Sequence, residues 1–207
     1  TPRTQASLLE CMEERQVTID GVTHDLEAPF FVIATQNPVE IQGTFPLPEA
    51  QLDRFLMRVS IGYPSQEQGV EILSRFRQAD PLLTLEPVAS ISDILAAQAA
   101  YSGVHVSDDL YVYIVDIAQQ SRCHPDVILG ISPRGTQALL KAAQVKAILM
   151  GREYVLPEDV RAMAAPVLAH RILLRSMSPH KAGAVIEDIL ARTPVPTEDS
   201  LFEERDR

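Results

Sequence analysis

The chain is poor in cysteine, in positive charge and in long apolar runs, and each shortage excludes something. Of its 207 residues only two are cysteine. Cys11 and Cys123 stand far apart, with no metal-ligand spacing and no disulfide framework, so a reducing cytoplasm is the expected compartment. Lys and Arg number 18 against 28 Asp and Glu, a formal net charge of −10. That balance argues against a general binder of nucleic acid or of anionic membranes, which needs clustered cations. No apolar run is long enough to span a bilayer, and no signal peptide opens the chain. His24, His105, His124, His170 and His180 show no i, i+4 zinc spacing and lie near no cysteine pair, so each is expected to be structural or exposed. There is no Ser-His-Asp signature and no internal repeat. No glycine is followed by lysine, so the phosphate-cradling pattern G-x-x-x-x-G-K-[ST] does not occur.

What is present centres on residues 30–55, FFVIATQNPVEIQGTFPLPEAQLDRF. The run Phe30 to Ala34 is bulky and β-branched, as in a strand buried on both faces. It ends in Thr35-Gln36-Asn37. Ligands of open α/β sheets bind beyond the carboxyl ends of strands, so Asn37 stands where chemistry is usually done. A loop punctuated by Gly43, Pro46 and Pro48 leads to Asp53-Arg54-Phe55. Upstream, Thr1-Pro2 reads as a helix start, with Leu8, Leu9 and Met12 at helical spacing to about Arg15. Residues 16–26 alternate about Asp20-Gly21, a strong hairpin signal. Leu56 to Tyr63 reads as a second core strand, and Pro64-Ser65 marks a domain boundary.

Beyond that boundary helical periodicity dominates. Ser65 and Gln68 form a capping-box pair, with Val70, Leu73 and Phe76 on the apolar face. A Pro-bearing linker covers residues 80–90. Helices are expected at about Ile91 to Ala100, Ser107 to Gln120, Pro133 to Met150, from Pro157, and from Ser178-Pro179 to Leu190. Val112 to Asp116 imitates an apolar strand ending in a carboxylate, but the helical pattern runs through it. Ser132-Pro133-Arg134-Gly135 is the second informative site. Ser caps and Pro starts a helix. Arg134 in the first turn opposes the positive helix end, which makes sense if an anion comes there. The tail, residues 193–207, is Pro-containing and charged, and is expected to be frayed.

ATQNP followed by GTFPLPEAQLDRF resembles the MoxR family of AAA+ ATPases. TPRTQASLLECMEERQV is similar to that family's helix after the Walker B strand, whose Asp-Glu pair would precede Thr1. SPRG and GREYVLPEDVRAMAAPVLAHRI are similar to its lid. The resemblance implies a partial α/β P-loop NTPase (AAA+) core over residues 1–64, an all-α lid over 65–192 and a flexible tail over 193–207. It implies that the hairpin is the pre-sensor-1 insert. Asn37 would be sensor 1, placing the attacking water. Arg54 would be the arginine finger, acting on a neighbouring subunit's nucleotide. Arg134 would be sensor 2, reaching the γ-phosphate of ATP in cis. Asp53 is expected to hold Arg54 or the interface, and Glu49 matches the family without an assignable mechanism. The implied cofactors are ATP and Mg²⁺. The implied assembly is a hexameric ring that remodels or assembles protein clients, often with a von Willebrand factor A-type partner.

The chain opens in mid-motif and reads as a fragment. Without Walker A and Walker B it is expected to turn over little or no ATP alone. One alternative is a non-catalytic oligomerisation or interaction module. Another is a DNA-remodelling AAA+ protein, against which the acidic balance weighs.

Overall fold

The structure is a computed structural model that describes residues 11, 12, 14–36, 47–76, 81–175 and 181–196. Cys11, Met12 and Glu14 are helical. Strands β1 (Gln16–Ile19) and β2 (Val22–Asp25) then pair antiparallel, Gln16 opposite Asp25 and Ile19 opposite Val22. Asp20 and Gly21 have φ of 51° and 80°. Positive φ at both central residues is what a type I′ turn requires, and Asp-Gly is the pair that tolerates it.

The two strands expected at residues 30–34 and 56–63 are not formed. Neither stretch joins a ladder, and Phe31, Ile33, Val59, Ile61 and Tyr63 are at least 70% exposed. The reason is pairing. A strand buried on both faces needs neighbours on both edges and helices above and below. Among the described residues the ladders are β1–β2 and a short pair in the second half of the chain. The helix start at Thr1-Pro2, Asn37 and the loop through Pro46 lie outside the described residues.

Apart from Glu49–Leu52, which falls in the stretch expected to be a loop, the helices follow the sequence pattern closely. They are α1 (Glu49–Leu52), α2 (Gln66–Phe76), α3 (Ile91–Ala100), α4 (Asp108–Cys123), α5 (Pro133–Leu149), α6 (Pro157–Leu168) and α7 (Lys181–Arg192). Ser65 and Gln68 exchange bonds as a capping box, at 3.2 and 2.9 Å. Ser90 and Asp93 do the same at α3. Asp159 caps α6 by accepting from the Leu156 amide at 2.9 Å, while Arg152 clasps both its oxygens at 2.6 and 2.7 Å. Burial alone would raise the Asp159 carboxyl's pKa. The Arg152 and Leu156 bonds outweigh it and hold the group below its usual range.

Residues 112–116 lie inside α4, with Tyr113 and Ile114 buried and Val112 and Val115 exposed. That is helical periodicity, and it removes the strand-like reading. The core is made by α4 to α7. Ala138, Ala142, Ala143 and Ala147 give α5 a shallow face, and α6 packs on it with Val160, Ala164, Val167 and Leu168. Ile186, Ile189 and Leu190 of α7 complete this core. A ribbon of β3 (Val127–Leu129) with β4 (Leu173–Leu174) was not expected from periodicity. Thr193, assigned to the tail, is 3% exposed and bonds the Ile189 carbonyl through its hydroxyl at 2.8 Å.

Candidate functional site

The site is built where the Asp53-Arg54-Phe55 turn meets the start of α5 and the end of α6. Pro48 precedes α1, whose last turn is closed by the Arg54 amide bonding the Gln51 carbonyl at 3.2 Å and the Phe55 amide the Leu52 carbonyl at 3.1 Å. Ser132 caps α5. Its hydroxyl accepts from the Gly135 amide at 3.2 Å and donates to the Asp53 carboxylate at 3.1 Å. One oxygen thus ends a helix and ties it to a turn far away in sequence. Arg54 follows Asp53 directly and Arg134 lies in the first turn of α5, so both predicted arginines spring from a single contact.

Arg171 holds that contact from the other side. Its Nη1 donates to the Asp53 carboxylate and to the Asp53 carbonyl, each at 2.7 Å. Its Nη2 donates to the Phe55 carbonyl at 2.6 Å, and its Nε to the Val167 carbonyl at 2.8 Å. The side chain is 1% exposed. Burial pushes the guanidinium's pKa down, Asp53 works against that, and the charge of Arg134 adds a smaller downward push. A guanidinium stays protonated through such shifts, so this is a buried ion pair with its donors satisfied. Asp53, expected to hold Arg54 or an interface, pairs with Arg171 and Ser132.

His170 supports the same turn. Its Nε2 lies 3.1 Å from the Phe55 carbonyl, an acceptor, so Nε2 carries the proton. Nδ1 is then an unprotonated acceptor, buried and without a partner among the described residues. Burial pushes the imidazole's pKa down; the Phe55 carbonyl opposes this, and Arg171 and Arg58 lower it further. The neighbouring Arg58 amide bonds the Pro166 carbonyl at 2.8 Å.

Two glycines make the geometry possible. A Cβ on Gly135 would come within 2.8 Å of Ile131 Cγ2 and 3.4 Å of Arg171 Cδ. A Cβ on Gly130 would lie 2.7 to 2.9 Å from Arg122 and Ser121. That close approach lets the Ile131 amide reach the Ser121 hydroxyl at 2.9 Å, and lets Arg122 Nη2 reach the Ile131 carbonyl at 2.9 Å. The residue before the Ser132 cap is thereby fixed to α4.

Chemically, the start of α5 with Arg134 in its first turn suits an anion, and phosphate oxygens match guanidinium donors. Among the described residues no group of three His, Cys, Asp or Glu could hold a metal, and no helix is long and apolar enough to cross a membrane. A pocket of about 30 Å³ lined by Gln120, Cys123, His124, Ile189 and Arg192 has room for a water, and neither Arg54 nor Arg134 lines it. Arg171 and His170 were missed in the sequence. The available signal was a pair of basic residues just beyond the apolar last turn of α6, PVLAHRI.

Residues 1–57 match the profile described as ATPase family associated with various cellular activities (AAA), and residues 119–192 match the AAA lid domain. The uncharacterized protein YeaC of Bacillus subtilis is 46% identical over 203 residues, covering 97% of this chain and 63% of YeaC. Chaperone MoxR1 of Mycobacterium tuberculosis is 38% identical over 182 residues, covering 83% of this chain and 48% of MoxR1. A solved structure of a candidate ATPase from Cytophaga hutchinsonii superposes with a TM-score of 0.86 at 33% identity, covering 95% of this chain and 63% of that one. The chain thus spans less than two thirds of the length of each of these relatives.

Proposed function

This chain belongs to the MoxR family of AAA+ ATPases, and from that premise we propose that it supplies the arginines of an ATP-hydrolysing site in a larger protein. In that protein Mg·ATP is bound at subunit interfaces of a hexameric cytoplasmic ring. Arg54 stabilises charge on the phosphoryl group of the neighbouring subunit's nucleotide, Arg134 contacts the same γ-phosphate, and Asn37 orients the attacking water. Hydrolysis drives chaperone-like remodelling or assembly of protein clients, with a von Willebrand factor A-type partner.

The observation that carries this reading is the bond between Ser132 and Asp53. It anchors the α5 start and the Asp53-Arg54-Phe55 turn to each other within one subunit. That favours both arginines serving one nucleotide, and so favours a trans role for Arg134 over the cis role implied by the resemblance. The guanidiniums fit phosphate oxygens. The described residues bring no carboxylate cluster for magnesium, so no step is assigned to the metal here. The 207 residues alone are expected to turn over little or no ATP, because the phosphate cradle is not among them.

The test is a subunit-mixing assay on the full-length protein. Arg54→Ala and Arg134→Ala each abolish most turnover; trans-acting arginines contribute about 10³–10⁵ in rate. Subunits carrying Arg134→Ala are then mixed with subunits disabled in nucleotide binding. Restored turnover supports the trans role of Arg134, and no restoration returns it to cis. If neither substitution slows ATP hydrolysis by the full-length protein, the proposal fails.

A further inference from the structure

We propose that Arg171 is a positioning residue for ATP hydrolysis, holding the turn that carries Arg54 in register with the helix that carries Arg134; this rests on the function proposed above. Three features support it. The guanidinium brackets Arg54, bonding the carbonyls of Asp53 on one side and Phe55 on the other as well as the Asp53 carboxylate. An arginine fork can grip two carbonyls and a carboxylate at once, whereas a lysine is a single point charge. Second, Asp53 is shared. The carboxylate that pairs with Arg171 also accepts from Ser132, the cap of the Arg134 helix. Displacement of one arm is therefore transmitted to the other. Third, residue 135 lies against the same node: a Cβ there would clash with Ile131 Cγ2 at 2.8 Å, while Arg171 Cδ sits at contact distance, 3.4 Å away. The glycine after Arg134 is thus accounted for by packing at the same node.

Arg171 is buried and its donors are taken by Asp53, Phe55 and Val167, so it acts through Arg54 and Arg134. A guanidinium must meet a transferring phosphoryl group in a narrow range of geometry, and a misplacement of about 1 Å can cost on the order of 100-fold in rate.

The test uses full-length protein and two mild variants, Arg171→Lys, which keeps the charge, and Asp53→Asn, which keeps an acceptor. Both are assayed well below their unfolding midpoints. Each is expected to lower kcat by about 10–100-fold while KM for ATP stays within about threefold. Under single-turnover conditions, adding Arg171→Lys to Arg54→Ala slows hydrolysis by less than about twofold, because the residue being positioned is already gone. Turnover of Arg171→Lys and Asp53→Asn within about twofold of the parent overturns the inference, and so does an effect that multiplies fully on the Arg54→Ala background. The Arg54→Ala single variant separates the two failures. If it hydrolyses ATP like the parent, the proposed function falls and Arg171 has nothing to position. If it is inactive while Arg171→Lys is unimpaired, the inference alone falls.

Discussion

Two parts of this chain carry comparable apolar patterns and treat them oppositely. Between Val104 and Leu190 the apolar residues of α4 to α7 close on one another, and Ile117, Ala143, Val160, Leu168 and Ile186 are fully buried. Among the described residues from Phe30 to Tyr63 the apolar side chains stay partly or fully in contact with solvent, Ile61 at 100% and Tyr63 at 98%. The difference lies in where partners come from. A helix satisfies its own backbone and needs one apolar neighbour, which the next helix in sequence supplies. A buried strand needs hydrogen-bonding partners on its edges and cover on its faces, and local sequence supplies neither. The join between the two parts is neither helix packing nor sheet. It is the polar clasp of Asp53 and Phe55 by Ser132, His170 and Arg171.

The sharpest way to break this contrast is a pair of truncations of equal chemistry. Leu168→Ala removes side-chain volume from the middle of the core and is expected to cost about 2–5 kcal/mol in urea unfolding of this chain. Ile61→Ala is expected to stay within about 0.5 kcal/mol of the parent, because the side chain is already solvated. A cost for Ile61→Ala approaching that of Leu168→Ala would mean that residues 56–63 are covered in solution.

The glycines sharpen the contrast on a smaller scale. Gly130→Ala places a methyl group against Arg122 Cγ, the Ser121 hydroxyl and the Arg122 amide nitrogen. The amide belongs to a packed helix and cannot yield, so about 1–3 kcal/mol is expected to be lost. Gly69→Ala, inside α2 with nothing within 4 Å of the new methyl, is expected to gain about 0.5–1 kcal/mol of local helix stability. Circular dichroism melts of the two variants read these opposite signs. A stabilising Gly130→Ala would show that the β3–α5 loop does not sit against α4 as described.

What was legible in the sequence was local. Ser65 with Gln68, Asp20-Gly21, and Ser132-Pro133 each predicted a cap or turn that the structure contains, since donor and acceptor lie within a few residues. The long helices were legible because their apolar faces repeat. The β3–β4 ribbon was not, because Val127 finds Leu174 across two intervening helices. The clasp was not, because Asp53 and Arg171 are 118 positions apart and no periodicity links them. The runs at residues 30–34 and 56–63 announced a need for burial without naming what would meet it, so the strand assignment outran the pattern.

The smallest expected effect tests whether the clasp contributes to the same folding unit as the helical core. In the folded chain the pKa of His170 is lowered by burial, and further by Arg171 and Arg58, with the Phe55 carbonyl and Asp53 pulling the other way. Unfolded, the ring regains a pKa of about 6.5. Between the lowered folded value and that unfolded value the unfolded chain binds more proton than the folded chain, so stability falls as pH drops through about 6.5 and levels off above it. The depressed carboxyls, Asp159 and Asp188, lose their contribution only at lower pH, as it falls through values beneath their ordinary 3.8. The windows are therefore separate. Urea midpoints taken between pH 7.5 and 5.5 are expected to decline for the parent and to flatten in His170→Gln, whose amide can still donate to the Phe55 carbonyl. An equal decline in both would place the titrating group elsewhere and detach residues 53–58 from the cooperative unit of α4 to α7.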